Sequence, residues 1–306
     1  MTKPVICIGG ALVDELFYAA DKMVLHTTNH MTVKKIVGGV GYNIAHQLSL
    51  LNIPVQLITV LGEDPDGKWI KNICAEAGIN IIASVTTKNE TAKYTGILNA
   101  DGSLFTALLS NSSFSLITPY HLEQQRSLLS TAAYLLADGN ISADAINWLI
   151  DFSNCSGIPL IIEPVSVPHA KKIGTCNLKG VYLITPNEDE LPALCNATTT
   201  EEQINELLER GVENIWLHSG IKGSAIYNAK GKTRLHATKI DVVDCTGAGD
   251  GSLSAFIMSK YIGKNDLESL KAAHTLSAEI LQVNGAIANH IDQKKLLQLI
   301  PKYYSE

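Results

Sequence analysis

Short, nearly uninterrupted apolar runs alternate with amphipathic stretches along most of this chain, and this alternation constrains the possible fold more than any other feature. Strands without polar alternation are buried on both faces, which is typical of a parallel sheet between two layers of helices. The sequence therefore predicts a three-layer α/β/α fold with a mainly parallel central sheet. The predicted strands are Val5–Ile8, Val55–Leu61, Ala132–Ala137, Pro159–Ile162, Val181–Ile184 and Ile215–Leu217. The predicted helices are Gly41–Leu51, Asp66–Ala77, Ala143–Ser153, Glu188–Cys195 and Glu201–Arg210.

Two segments interrupt this alternation and are predicted to form a separate small β-sheet. Residues 11–37 have the mixed polar and apolar texture of short strands. Within residues 90–110, the runs Lys93–Asn99 and Ser103–Leu109 flank Asp101-Gly102, a strong hairpin signal. We expect these strands to form a lid beyond the carboxyl ends of the parallel strands, where α/β proteins bind ligands. Residues 1–306 are expected to form one domain with both lid segments inserted.

Composition excludes several classes of function. The formal net charge is −6 and no basic cluster is present, so a nucleic acid polymer is not an expected partner. The sequence contains no apolar run long enough to cross a membrane and no recognisable signal peptide. Its six cysteines are scattered without a C-x-x-C pair, which argues against a zinc or redox site. These features predict a protein of the reducing cytoplasm.

The segment Asp244-Cys245-Thr246-Gly247-Ala248-Gly249-Asp250 contains the strongest functional signal. Its glycines precede Ser252–Tyr261, which is apolar at helical spacing, and such a turn leaves free N–H groups at the positive end of a helix dipole. Phosphate binds at such ends, and a carboxylate placed there is a candidate base for a hydroxyl proton. The alternative is an ordinary N-cap aspartate after a glycine loop, and spacing alone does not separate the two.

Other nucleotide-binding patterns are absent. The sequence has no G-x-x-x-x-G-K-[ST] motif, which excludes a P-loop enzyme. The first predicted strand ends in Gly9-Gly10-Ala11-Leu12-Val13-Asp14, which does not match G-x-G-x-x-G. A dinucleotide-dependent dehydrogenase is therefore disfavoured.

Two segments resemble the signatures of the ribokinase-like (PfkB) carbohydrate kinases. Asp244–Asp250 is similar to that family's C-terminal D-T-x-G-A-G-D, and Gly38–Ala45 (GGVGYNIA) is similar to its N-terminal G-G-x-x-x-N-x-A. The resemblance implies a ribokinase-like fold and transfer of the γ-phosphoryl group of ATP to a hydroxyl group, with Mg²⁺ as cofactor. It implies that Asp250 is the catalytic base and that the amides of Gly247, Ala248 and Gly249 form an anion hole.

The same resemblance implies which residues contact the substrate. They are Asp14, Gly38, Gly39, Asn43 and Tyr94. Without the family, Asp14 would be interpreted as a turn residue and the glycines from Gly38 onwards as a helix entry.

Three further elements resemble the nucleotide and metal sites of the family. Asn187 and Glu190 match its N-x-x-E element, which holds Mg²⁺ through water; a helix-capping pair is the structural alternative. His218–Gly223 resembles its G-x-x-G nucleotide loop without the usual threonine-leucine-glycine form. Leu281–Ala286 lies where relatives hold adenine and sometimes K⁺, so potassium dependence is a hypothesis. The implied nucleotide-binding residues are Asn187, Ser219, Gly220, Gly223, Thr246 and Asn284.

Local motifs are most similar to those of the pseudouridine kinases. The matching segments are Gly38–Ala45, Ala137–Ser142, Glu163–Val167, and Tyr94 with the following Asp101-Gly102. That group usually has arginine where Tyr42 stands and aspartate where Ser112 stands, and it often has aspartate in place of Glu163.

We therefore predict phosphorylation of pseudouridine to pseudouridine 5′-phosphate. Alternatives are a kinase of a free sugar or sugar acid (ribose, fructose or 2-keto-3-deoxygluconate) and, more remotely, a non-catalytic ligand-binding protein of the same fold. Because lids of this family often pair, a homodimer through the lid is a further expectation.

Overall fold

The computed structural model of the protein describes residues 2–304. The strands are β1 (Val5–Ile8), β2 (Leu12–Ala19), β3 (Met31–Gly38), β4 (Val55–Ile58), β5 (Val60–Gly62), β6 (Val85–Thr87), β7 (Lys93–Leu98), β8 (Leu104–Ser110), β9 (Tyr134–Asp138), β10 (Leu160–Glu163), β11 (Leu183–Ile184), β12 (Asn214–His218), β13 (Ser224–Asn228) and β14 (Gly231–Leu235). The helices are α1 (Val40–Leu50), α2 (Pro65–Glu76), α3 (Pro119–Gln124), α4 (Arg126–Leu129), α5 (Ala143–Ser156), α6 (Val167–Gly174), α7 (Leu191–Leu194), α8 (Thr200–Glu209), α9 (Ala248–Tyr261), α10 (Asp266–Leu281) and α11 (Gln293–Tyr303).

The central sheet has the strand order β14-β13-β12-β11-β10-β9-β1-β4. All its neighbouring strands from β12 to β4 pair in parallel, while β13 and β14 add an antiparallel hairpin at one edge. This arrangement confirms the prediction of a mainly parallel sheet. Between residues 2 and 304, no helix has the length and apolar character needed to cross a bilayer.

Helices cover both faces of this sheet, as β1 shows most clearly. Successive side chains of a strand point to opposite faces. Val5 and Cys7 pack in one core with apolar residues of α1, α9 and α10, whereas Ile6 and Ile8 pack in the other with residues of α5, α6 and α8. All four side chains are fully buried. The predicted three-layer α/β/α architecture is therefore confirmed.

A second sheet, called here the small sheet, has the strand order β3-β2-β7-β8. β2 pairs antiparallel with β3 and parallel with β7, and β7 continues into β8 through the predicted hairpin turn. Gly102 lies in this turn with φ of 81°. The separate small sheet is confirmed, while its function as a lid and the single-domain organisation of the chain stay predictions.

The predicted strand Val55–Leu61 was wrong in its extent, because the chain leaves the central sheet at Thr59. The Thr59 hydroxyl accepts a hydrogen bond of 3.1 Å from the amide of Ala11, and its carbonyl accepts one of 2.8 Å from the amide of Val85. The following residues form β5, which pairs with β6 in a two-stranded sheet of their own.

The predicted helix Glu188–Cys195 was also too long, because only Leu191–Leu194 is helical. Side chains of Asn187 and Glu190 bind the main chain of the preceding turn instead. Oδ1 of Asn187 accepts from the Glu190 amide at 2.8 Å, and Oε2 of Glu190 accepts from the Asn187 amide at 3.0 Å.

Candidate active site

The N-termini of α1 and α9 meet beyond the carboxyl end of β1, and a glycine begins each helix. Gly39 and Gly247 are the N-cap residues, with φ of 99° and 74°. A Cβ atom at Gly39 would lie 2.6 Å from the carbonyl oxygen of Gly10, and one at Gly247 would lie 2.4 Å from the backbone of Ala286. Both positions therefore require glycine for conformation and for space. The two positive helix ends point into one region.

Asn43 and Asp250 connect these two helix ends. The side-chain Nδ2 of Asn43 donates a hydrogen bond of 2.8 Å to Oδ2 of Asp250. Burial, and to a lesser extent the negative charge of Asp138, raise the pKa of Asp250 to about 6 against the opposing effect of the Asn43 hydrogen bond. A carboxylate with this pKa is largely ionised at neutral pH and is a better proton acceptor than an exposed aspartate.

Backbone amides beside Asp250 are free to bind an anion. Within residues 2–304, no acceptor is hydrogen-bonded to the amides of Gly247, Ala248 or Gly249, and the first bond of the helix runs from the Gly251 amide to the Gly247 carbonyl at 2.9 Å. A Cβ atom at Gly249 would meet no other part of the protein within 4 Å, so the space beside this residue is open. This is the geometry of a phosphate site.

Asp244 shapes the turn that presents these amides. Its Oδ1 accepts hydrogen bonds from the amide and the hydroxyl of Thr246 at 2.9 and 2.7 Å. Its Oδ2 accepts from the amide of Gly285 at 2.9 Å. The hydroxyl of Thr246 is therefore engaged by Asp244, while the exposed side chain of Asn284 lies on the adjoining loop.

Asp14 enters the site from the small sheet. Its carboxylate lies against Gly38, where a Cβ atom would be 2.0 Å from Oδ2, so Gly38 makes room for this side chain. Burial raises the pKa of Asp14 to about 6. Asp14 and Tyr94 are register partners on β2 and β7, which places both side chains on one face of the small sheet. The structure thus places Asp14 beside Gly38 and on the same face of the small sheet as Tyr94, here called the cleft face.

The predicted nucleotide loop follows β12 and lies beside the Asn187 turn. The His218 amide bonds the Pro186 carbonyl at 2.9 Å, and the Ser219 amide bonds the Gly223 carbonyl at 2.9 Å. Gly220 and Gly223 have φ of 51° and 93°. At Gly223 a Cβ atom would lie 2.1 Å from the Leu235 carbonyl, whereas Gly220 faces open space.

Two acidic residues, Glu190 and Glu163, are relevant to the binding of a magnesium ion. Both carboxyl groups have a raised pKa because of burial, and for Glu163 the negative charges of Asp250 and Glu190 add to this effect. Oε2 of Glu163 is buried without a hydrogen-bond partner in the described chain. Residues 2–304 contain no group of three or more His, Cys, Asp or Glu side chains arranged to hold a metal directly. Asn187 and Glu190 would therefore hold a hydrated Mg²⁺ through its water molecules.

Asp138 lies within the segment Ala137–Ser142, and the sequence alone does not predict its contacts in the site. This fully buried carboxylate accepts hydrogen bonds from the amides of Gly10 at 2.7 Å, Gly41 at 3.0 Å and Asn140 at 2.9 Å. It joins the ends of β1 and β9 to the start of α1. An Asp-Gly pair after a strand is an ordinary turn signal, so the local sequence carries little indication of this role.

Tyr42, which stands where pseudouridine kinases usually have arginine, points into the core. It is 2 % exposed, and its hydroxyl lies 2.9 Å from Nδ1 of His46. The neighbouring Asn43 is the residue of this turn that reaches Asp250.

The chain belongs to the pfkB family of carbohydrate kinases, whose family profile matches residues 3–294. The protein is therefore an ATP-dependent sugar or nucleoside kinase, and the non-catalytic alternative is set aside.

Individual relatives differ in the acceptor that their names give. An uncharacterized sugar kinase of Escherichia coli is 29 % identical over 88 % of this chain and 76 % of its own length. The pseudouridine kinase of the same organism is 26 % identical over 90 % of both chains. Arabidopsis thaliana ribokinase, solved with ribose and ATP, superposes with a TM-score of 0.88 over 98 % of this chain and 99 % of its own, at 23 % identity, which supports the fold.

Proposed function

We propose that the protein phosphorylates pseudouridine at its 5′-hydroxyl group. The carrying observation is a pair of unpaired polar atoms beside the candidate base. Asn43 Oδ1 and Glu163 Oε2 are both buried and without a partner among the described residues. Pseudouridine offers ribose hydroxyls and two ring N–H groups, and unpaired buried polar atoms favour a ligand that satisfies them.

Two motifs that resemble the pseudouridine kinases lie next to each other in the fold. The Gly139 amide donates to the Glu163 carbonyl at 2.8 Å, and the Lys172 ammonium group binds the Gly139 carbonyl at 2.6 Å and also the carbonyl of Ile141. Val165, within the second of these motifs, has φ of 71°, which is strained for a β-branched residue. These hydrogen bonds hold a strained backbone in place, which is consistent with a rigid surface that contacts the substrate.

In the proposed reaction, Asp14 and Asn43 orient the ribose hydroxyls and the small sheet excludes water. The 5′-oxygen forms a bond to the γ-phosphorus, its proton passes to Asp250, and the bond to the β,γ-bridging oxygen breaks, so that ADP leaves with the electron pair. The amides of Gly247–Gly249 receive the transferring group. Asn187 and Glu190 would hold Mg²⁺ through water molecules, and the bound ion would neutralise part of the charge on the phosphoryl oxygens.

The experiment is a comparison of kcat/KM for pseudouridine, uridine, ribose, fructose and 2-keto-3-deoxygluconate, measured by coupled ADP release. We expect pseudouridine to exceed every other acceptor by at least about tenfold, since one lost hydrogen bond to a buried partner has about that effect. A free sugar or sugar acid with the highest kcat/KM would refute the proposal. Such a result would agree with the somewhat greater identity to the sugar kinase.

We also propose a homodimer through the small sheet and a role for potassium. The edge strand β8 exposes Leu104, Phe105, Leu108 and Leu109, an apolar surface suited to a second copy of the same edge. Light scattering of the wild type and of Leu108→Asp tests this pairing, and a monomeric wild type would contradict it.

Equal rates in potassium and sodium buffers would remove the role of K⁺ at the Leu281–Ala286 loop.

A further inference from the structure

The site contains many acidic groups and few free cations. Asp14, Asp244, Asp250 and Glu190 all lie on the elements that surround the cleft, and bound ATP would add further negative charge. Two nearby lysines are already engaged in the described structure. Lys172 binds main-chain carbonyls, and Lys222 pairs with Glu188 at 3.3 Å. Positive charge in addition to that of Mg²⁺ would favour transfer of a phosphoryl group in a site surrounded by these carboxylates.

Lys34 is placed to supply this charge. On β3, Ile36 is the register partner of Asp14, and Lys34 is the partner of Leu16, so Lys34 shares the cleft face of the small sheet with Asp14. Its side chain is exposed, and within residues 2–304 it forms no ion pair.

Lys34 lies close enough to the glycine turn for its charge to affect the pKa of Asp244. Burial favours a higher pKa for Asp244, but hydrogen bonds from Thr246 and Gly285, together with the charge of Lys34, leave the pKa below its ordinary value. The positive field of Lys34 therefore reaches the carboxylate that shapes the anion-binding turn.

Lys35, the next residue, faces the opposite side of the strand and is fully engaged. Its ammonium group lies 2.9 Å from Glu15 and 3.1 Å from Asp66 at the start of α2. Lys93 contacts the same two carboxylates at 3.3 and 3.1 Å. These four charges join the back of the small sheet to α2, so the two adjacent lysines have different functions: Lys35 anchors the sheet, and Lys34 faces the cleft.

We propose that Lys34 is a catalytic residue of the kinase reaction, whose ammonium group contacts the γ-phosphoryl oxygens of ATP while the Gly247–Gly249 amides bind the same group from the other side. Lys34 donates hydrogen bonds and transfers no proton, so its charge offsets the negative charge on those oxygens as ADP leaves. This inference rests on the kinase activity of the family and is independent of the identity of the acceptor.

The test compares Lys34→Met with the matched control Lys35→Met. For Lys34→Met we expect kcat/KM for ATP to fall about 10- to 100-fold, as for the loss of one charge-stabilising donor. Affinity for the ATP analogue AMP-PNP, measured by calorimetry with Mg²⁺, should fall several-fold more than affinity for ADP, and Lys34→Arg should restore most of the activity. Lys35→Met should lower the melting temperature and leave the ratio of the two affinities unchanged.

Three results would overturn the inference. An equal loss of AMP-PNP and ADP affinity in Lys34→Met would show that Lys34 does not contact the γ-phosphoryl group. An increase only in the KM of the acceptor would assign Lys34 to the other substrate. The same kinetic change in both methionine variants would indicate a shared structural function of β3.

Discussion

The Asn43 side-chain amide donates a hydrogen bond of 2.8 Å to the carboxylate of Asp250, although 207 positions separate the two residues in the chain. The bond joins the first turns of α1 and α9, so the residue proposed to contact the acceptor also orients the proposed base. The favourable interaction with the ionised carboxylate opposes the effect of burial on the pKa of Asp250. The proposed base and the proposed acceptor-binding residue are thereby connected at one contact.

Replacement of the base should abolish most turnover without loss of nucleotide binding. For Asp250→Asn we expect kcat to fall by about 10²- to 10⁴-fold, the usual contribution of a general base. The Kd of AMP-PNP should stay within about threefold, because the anion-binding amides are unchanged. Calorimetry and coupled ADP release measure the two quantities. The exposed Asp241→Asn is the control, and normal turnover in Asp250→Asn would place the base elsewhere.

The rate should fall on acidification through the pKa of Asp250, about 6, because only the ionised carboxylate accepts a proton. Asn43→Ala removes a hydrogen bond that lowers this pKa, so the acid limb of kcat should move upward by about one unit. The control is Ser254→Ala, whose hydroxyl bonds the main-chain oxygen of Asp250 at 2.7 Å and not its carboxylate. An unchanged acid limb in Asn43→Ala would contradict the assignment.

The same raised pKa predicts a dependence of stability on pH. The folded protein binds the Asp250 proton more tightly than the unfolded chain, so its contribution to stability is present below about pH 4 and is lost as the pH rises through about 6. Asp250→Asn should therefore be more stable than the wild type by about 2 kcal/mol at pH 8 relative to their difference at pH 4. Urea unfolding at both pH values measures this, and a pH-independent difference would contradict it.

Two glycines of the turn before α9 are expected to differ in function: Gly247 is required by the fold, whereas Gly249 lies at the proposed phosphate site. Gly247→Ala should destabilise the protein and abolish activity, because its Cβ atom would clash with Ala286 at a φ of 74°. Gly249→Ala should leave the melting temperature unchanged or slightly higher, yet weaken AMP-PNP binding at least about tenfold, since the added methyl group enters the open space in which the phosphate is proposed to bind. Gly263→Ala, at φ of 82° with open space, controls for backbone strain alone. Unchanged AMP-PNP affinity in Gly249→Ala would place the phosphate elsewhere.

Replacement of Asp14 should raise the KM of the acceptor without changing the KM of ATP. In Asp14→Asn, the acceptor KM is expected to rise about 10- to 100-fold, since a charged hydrogen-bond acceptor becomes neutral. The KM of ATP should change by less than about twofold. Glu15→Gln, on the opposite face of β2, is the matched control and should leave the acceptor KM unaltered. A comparable rise in both variants would show a general loss of small-sheet structure.

The strands could be predicted because burial on both faces leaves a continuous apolar run, as in Val5–Ile8. The end of β4 could not, since the departure at Thr59 depends on hydrogen bonds to Ala11 and Val85, which are distant in sequence. The glycine turn and the position of Asp250 in it could be predicted from local spacing together with the resemblance to the family. The contacts of Asn43 with Asp250 and of Asp138 with three separate amides arise only when the sheet order is known.

The hydrogen bonds of Asp138 limit how the substrate preference of such a kinase can change in evolution. One carboxylate holds the amides of Gly10, Gly41 and Asn140, so a shift in any of these segments strains the other two. The floor of the cleft therefore tolerates little change, while the exposed parts of the small sheet can vary their inward side chains more freely. Divergence of substrate preference is expected to accumulate on the strands above the cleft rather than on the platform beneath it.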